Sequence, residues 1–266
     1  MTSTNLASLG LAAVSFDFFI DWNGNPLMVG DELWVKRISD VPVGNLRPED
    51  VRQGALACGD DLKALEAFSN RYGFTPRYMV FEEGVNWANA PTPLLVTTLN
   101  GAQFLKGSER TLNEVMGAIR QFSGGPVSIG GKGLFYGTSS LECYLSKTTS
   151  LWPGDADCVL WDSNQQCAVA LLEFKKHNLD TPLAQEGIQK YMAKDRRKWE
   201  RLGLLRDHLN VPLSCIYYST DPAETHIKIE RLVGPYNSLQ SGNELMLQIA
   251  GMSHAALGQA VAQVVV

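Results

Sequence analysis

The sequence predicts an α/β protein, α+β over its whole length, with a mixed sheet in the C-terminal half. Three observations carry this class. Short apolar or alternating runs bounded by turn residues recur along the chain and read as strands. Segments with helical periodicity interrupt them throughout, so neither an all-α nor an all-β class fits. In the second half the order helix, strand, strand, helix, strand calls for a mixed sheet flanked by helices. At 266 residues and 45% hydrophobic content, the chain can bury a sizeable core.

Taken in order, Ala12–Trp22 alternates and is rich in aromatic residues, and Asn23-Gly24-Asn25 turns it into strands over Pro26–Gly30 and Glu32–Ile38. Pro48-Glu49-Asp50 opens a helical segment reaching about Tyr72. Tyr78–Glu82 and Leu94–Thr98 are further short strands, and Glu109–Phe122 an amphipathic helix. The Gly-rich stretch 124–133 lacks the G-x-x-x-x-G-K-[ST] spacing of a phosphate loop, because Pro126 and Gly133 stand at required positions. It reads as a linker between an N-terminal α+β accessory region, 1–130, and a second domain, 131–266. There, Ser139–Lys147 is a short helix, and 157–161 and 169–175 are strands. Thr181-Pro182 has the N-cap and N1 residues of a helix start, and Gly203 is the expected stop. Leu213–Ser219 and Ile227–Leu232 are strands, and the Ala-rich tail after Asn243 is a helix packing on the core.

Composition narrows the function. The formal charge is −5 and the pI about 5.4, so any polyanion must be met by a local patch. The candidate is Lys190–Arg201: its ordinary reading is a solvated helix face, but Lys190, Lys194, Arg197 and Arg201 recur at helical spacing, the spacing of a stripe that tracks a phosphate backbone. The five cysteines form no CxxC pair, which speaks against a disulfide framework or zinc ribbon and for a reducing compartment. The first basic residue is Lys36, so the N-terminus lacks the charged start of a signal peptide. No apolar run reaches membrane-spanning length. The expectation is a cytoplasmic protein without a membrane partner. No G-x-S-x-G or H-E-x-x-H is present, and the four histidines have no metal-ligand spacing with the cysteines.

The residues that carry chemistry flank two apolar runs. Asp157 opens Cys158-Val159-Leu160-Trp161; Glu173-Phe174-Lys175 closes 169–175. Residues i and i+2 of a strand share a face, so Glu173 and Lys175 point the same way. A hairpin in phase, with Trp161 opposite Val169, sets Asp157 opposite Glu173. Carboxylates at the ends of apolar strands are costly without a partner or an ion. The plain reading of Glu173 and Lys175 is a solvated, self-neutralising strand end; that of Asp157 is a turn residue.

This part of the chain, Ser139 to Ser219, resembles the PD-(D/E)XK nuclease superfamily. Asp157 matches its metal-binding aspartate and Glu173-x-Lys175 its (D/E)xK signature, although Gly154-Asp155-Ala156 precedes Asp157 where the motif has Pro. The resemblance implies a restriction-endonuclease-like αβββαβ core. It implies Mg²⁺ or Mn²⁺ held by Asp157, Glu173 and the Phe174 carbonyl, with Lys175 orienting the attacking water. Glu142, on the preceding helix, is the assisting acid, or else simply caps its own helix with Ser139. Asp155 competes for the role of Asp157. His177 is a surface residue or a further member of the site. Gln185, Gln189 and Tyr191 are similar to the Gln and Tyr of the exonuclease branch, without its spacing. The implied activity is metal-dependent hydrolysis of nucleic acid, DNA rather than RNA. The alternatives are a catalytically inactive nuclease-like binding module, or an N-terminal sensor gating a nuclease domain.

Overall fold

The computed structural model describes residues 3–89, 92–128, 139–177, 181–192 and 194–266. In chain order the elements of its first part are α1 (Ser3–Leu6), β1 (Leu11–Asp21), β2 (Met28–Ser39), α2 (Pro48–Ala57), α3 (Leu62–Tyr72), β3 (Thr75–Glu82), β4 (Leu94–Asn100), β5 (Gln103–Phe104), β6 (Ser108–Arg110), α4 (Leu112–Phe122) and α5 (Ser140–Leu145). The second part adds β7 (Gly154–Asp162), β8 (Cys167–Lys176), α6 (Gln189–Met192), α7 (Arg196–Leu209), β9 (Leu213–Tyr218), β10 (His226–Val233), β11 (Gln240–Gln248) and α8 (His254–Val265). The protein is therefore mixed α/β. Among the described residues no helix is long and apolar enough to cross a membrane.

Two compact units divide the chain. Phe16–Asp155 form a central unit; Met1–Ser15 and Ala156–Val266 together form a terminal unit. The boundary expected at 130–131 lies outside the described residues.

In the central unit the strands run β1-β2-β3-β4-β5, with β6 also on β4. β2 and β3 are parallel, and the other pairs antiparallel. One aromatic cluster organises the face under α4 and α5: Trp34 meets Phe19, Phe122 and Trp152 edge-on, with Ile119, Leu141 and Leu145 buried around them. The two strands expected over 26–38 are one, β2, and the single helix expected over 48–72 is two. Gly59, at a positive φ, ends the first helix, and the Asp61 carboxylate caps the second by accepting from the Ala64 amide.

The terminal unit has the order β7-β8-β9-β10-β11, mixed because β8 and β9 are parallel. One face, Cys158, Leu160, Leu172, Ile216 and Ile229, packs against Val261 and Val265 of α8 and against Leu6 of α1. The other face carries α7, whose Trp199, Leu202 and Leu205 are buried.

Three expectations change here. The helix start at Thr181-Pro182 does not form. After a single 3₁₀ turn at Leu183–Gln185, Glu186 is extended, and helix resumes only at Gln189. The reason is side-chain competition for the backbone. The Lys228 ammonium donates to the carbonyls of Ala184 (3.1 Å) and Glu186 (2.5 Å), and the Ile188 amide donates to the Glu230 carboxylate (2.9 Å). Gly203 lies inside α7 instead of ending it. A Cβ there would come within 2.7 Å of the Tyr236 Cα, so the glycine permits a close approach. The tail after Asn243 contains the rest of β11 before α8 begins.

Candidate functional site

Alternation along β8 splits its C-terminal residues between two environments. Leu172 and Phe174 face α8, while Glu173 and Lys175 face α7. Ladder registers extend each of the latter into a row across the sheet. Glu173 pairs with Cys215, Cys215 with Glu230, and Glu230 with Glu244. Lys175 pairs with Tyr217, Tyr217 with Lys228, and Lys228 with Met246. An acid row thus lies beside a row with two lysines, because the Glu-x-Lys of β8 is answered by Lys228-x-Glu230 on the oppositely directed β10. Glu173 and Glu230 are completely buried, and Lys228 nearly so.

Partners for these charges come from the segment packed over them. The Glu173 carboxylate lies 2.7 Å from the Lys198 ammonium and 3.3 Å from that of Lys175. Lys175 in turn is 3.9 Å from Asp195 and sits over the rings of Trp199 and Tyr191. Tyr217 donates to Glu230 at 2.5 Å, and Lys228 pairs with Glu244 at 2.8 Å. Burial raises the Tyr217 hydroxyl and the Cys215 thiol well above their ordinary values. For Glu186 burial works upward, but hydrogen bonds from Lys190 and Tyr191 outweigh it and leave the carboxyl below its usual range.

Asp157 reaches the same strand end from β7. Cys158 pairs with Leu172 and Val159 with Leu171, so one further step sets Asp157 opposite Glu173. The expected pairing of Trp161 with Val169 is displaced to Ala168 by a bulge after Leu160, which leaves the Asp157 end in phase. The Asp157 carboxylate accepts from the Phe174 amide at 2.8 Å and so lies against the Glu173-Phe174-Lys175 segment.

The other sequence candidates scatter. Glu142 belongs to the central unit, where it pairs with Lys36 at 2.5 Å. Its amide donates to the Ser139 hydroxyl (3.3 Å), so half of the expected capping box is present. Asp155, exposed, is also in the central unit. His177 is buried, not on the surface: one ring nitrogen is 3.1 Å from Glu186 and the other 2.7 Å from the Thr181 carbonyl. Gln185 and Gln189 are exposed, whereas Tyr191 donates to Glu186 at 2.8 Å. Lys190, Lys194, Arg197 and Arg201 do not share one helix, since α6 ends at Met192 and α7 starts at Arg196. Lys190 is engaged by Glu186 at 2.8 Å.

Sequence reasoning missed Lys198, which sits among the basic residues but off their assumed stripe. It also missed Lys228 and Glu230, although a Lys-x-Glu in an apolar strand is the same signal as Glu173-x-Lys175. In the central unit it missed Asp17, buried 3.5 Å from Lys36. Among the described residues no three His, Cys, Asp or Glu side chains are grouped to hold a metal. The donors at the Asp157 strand end are two carboxylates and the Phe174 carbonyl. Such an all-oxygen set fits a hard divalent cation, provided that Lys198 yields its place on Glu173.

No family model matches the chain, and no curated protein matches it. Among solved structures, the sex pheromone staph-cAM373 precursor is similar at 10% identity over 89% of this chain and 75% of that one, with a TM-score of 0.22. A likeness at that level carries no statement about function.

Proposed function

We propose that the protein is a Mg²⁺-dependent nuclease of the PD-(D/E)XK type, with DNA as its substrate. The observation that carries this reading is the Phe174 amide donating to Asp157, which holds this carboxylate against the backbone of the Glu173-Phe174-Lys175 segment. The parallel β8–β9 pair joined through α7, with β7 antiparallel on the other side of β8, is compatible with the core that the resemblance implies.

Asp157, Glu173 and the Phe174 carbonyl would hold the cation, which when bound neutralises charge on the scissile phosphate. The residues of the chain do the rest. Lys175 orients a water toward phosphorus and offsets the charge that grows on the phosphate oxygens. The water oxygen bonds to phosphorus, the bond to the leaving sugar oxygen breaks, the water loses one proton to solvent and the leaving oxygen gains one. Trp199 and Tyr191 fix the lysine's direction through their ring faces.

A second reading, a nuclease-like binding module without catalysis, is favoured by one observation. Glu173 is buried with two ammonium groups, and an equivalent Lys-x-Glu pair recurs on β10. Incubation with supercoiled, linear and single-stranded DNA and with RNA, with and without Mg²⁺, separates the two. Mg²⁺-dependent cleavage by wild type, abolished in Lys175→Ala, is expected of the enzyme. A Mg²⁺-dependent cleavage that survives in Lys175→Ala, or none by wild type on any substrate, removes it.

A further inference from the structure

On the sheet face opposite Glu173, a cavity of about 840 Å³ opens along the N-terminal half of α8. This volume lies within the range of small-ligand sites, roughly 300–1,000 Å³. Its wall is formed by Phe174 and Tyr218 on neighbouring parallel strands, with Ile249 and Leu257 opposite them. All four are half-buried, so the rings present surface that the core does not cover. Asn5, Ser219 and His254 supply hydrogen-bonding groups around this apolar floor, and Asp157 closes one side.

We infer that this cavity takes one unpaired nucleobase of the polynucleotide whose phosphate lies at the Asp157 strand end; the inference rests on the nuclease reading above. Four features lead there. Asp157 and Phe174 belong at once to the acid pair's strand end and to the cavity wall. A nucleotide whose phosphate meets Asp157 at that strand end has the cavity beside it. Phe174 and Tyr218 offer ring faces, and a base stacks on an aromatic side chain whatever its sequence. The cavity lies on the sheet face toward the carboxyl ends of the parallel strands β8 and β9, the side on which open α/β sheets take ligands. Finally, a base in a duplex has both faces stacked and its edge paired, so only an unpaired or extruded base can enter. The enzyme should accordingly prefer single-stranded or frayed ends to blunt duplex.

The test is a binding measurement on the full chain carrying Lys175→Ala, so that substrate survives in Mg²⁺. The probe is a single-stranded oligonucleotide with a terminal 2-aminopurine, compared with the same sequence as a blunt duplex. The expected result is quenching of the single-stranded probe on binding and weaker binding of the duplex. Tyr218→Leu should weaken binding roughly 5- to 100-fold, the loss of one stacking platform, and Tyr218→Phe should restore it. Leu257→Trp, which fills the cavity from the helix side, should give the same loss if Tyr218→Leu does not fold. Unchanged affinity and quenching in these variants, while wild type still cleaves in Mg²⁺, overturns the base pocket and leaves the nuclease reading standing. Absence of binding and cleavage of every nucleic acid overturns both. Uptake of an apolar dye such as anilinonaphthalene sulfonate with no response from the base would make this an apolar-ligand pocket and also overturn the inference.

Discussion

Burial pushes the Asp17 carboxyl up to about 7, with the Lys36 ammonium 3.5 Å away working against the shift. Asp155 and Glu142 add to the rise through their charge. Lys36 stays charged against its own burial because Asp17 and Glu142 both face it. The unfolded carboxyl titrates near 3.8, so between that value and about 7 the folded chain holds a proton that the unfolded chain has lost. The associated stability is fully present below the unfolded value and is lost as pH rises through 7. Across that window each pH unit changes stability by up to about 1.4 kcal/mol. Wild type should therefore melt lower at pH 8 than at pH 5 by a margin that Asp17→Asn, neutral throughout, lacks. Identical pH dependence of the two melts would contradict this. Glu173 is buried as deeply but has two ammonium partners, Lys175 and Lys198. That neutralisation is why a carboxylate can sit in the interior at all.

At the scale of elements, the segment from Leu183 to Met192 is shaped by side chains from β10 more than by its own propensities. Lys228→Met keeps the apolar stem but removes the ammonium that joins two carbonyls of this segment and Glu244. It should cost about 1–3 kcal/mol, the penalty for leaving such groups unpartnered. It should also loosen the cover over Cys215, a fully buried thiol between Glu173 and Glu230. Faster labelling of Cys215 by a thiol reagent, read by mass spectrometry with the exposed Cys58 as internal control, is expected. Labelling at the wild-type rate would contradict it. The same contacts explain what was legible in the sequence. The strands β7, β8 and β9 follow local apolar runs, and their phase survives even the bulge after Leu160. The start signal at Thr181-Pro182 is local, whereas Lys228 and Glu230, which override it, lie more than forty residues on. Gly203 is a related case, since the close approach of Tyr236 is invisible in a sequence window around α7.

For the whole molecule, the two units assign the sequence candidates differently. Asp157, Glu173, Phe174 and Lys175 fall together in the terminal unit because a single hairpin connects them. Glu142 falls in the central unit with Lys36, 106 residues away in sequence, a pairing that no spacing rule reveals. The N-terminal fifteen residues belong with the C-terminal half, since Leu6 is buried against Val261 and Val265. A nuclease acting through Asp157 requires a divalent cation at that strand end. Thermal melts of the full chain with and without Mg²⁺ test it most directly. At a hundred times its dissociation constant, a cation bound only by the folded state adds about 2.7 kcal/mol. Wild type and Lys175→Ala should both melt higher in Mg²⁺, and Asp157→Asn, which keeps the acceptor for the Phe174 amide but loses the charge, should not shift. A wild-type melt unmoved by Mg²⁺, or an Asp157→Asn melt raised as much as wild type, would contradict the account.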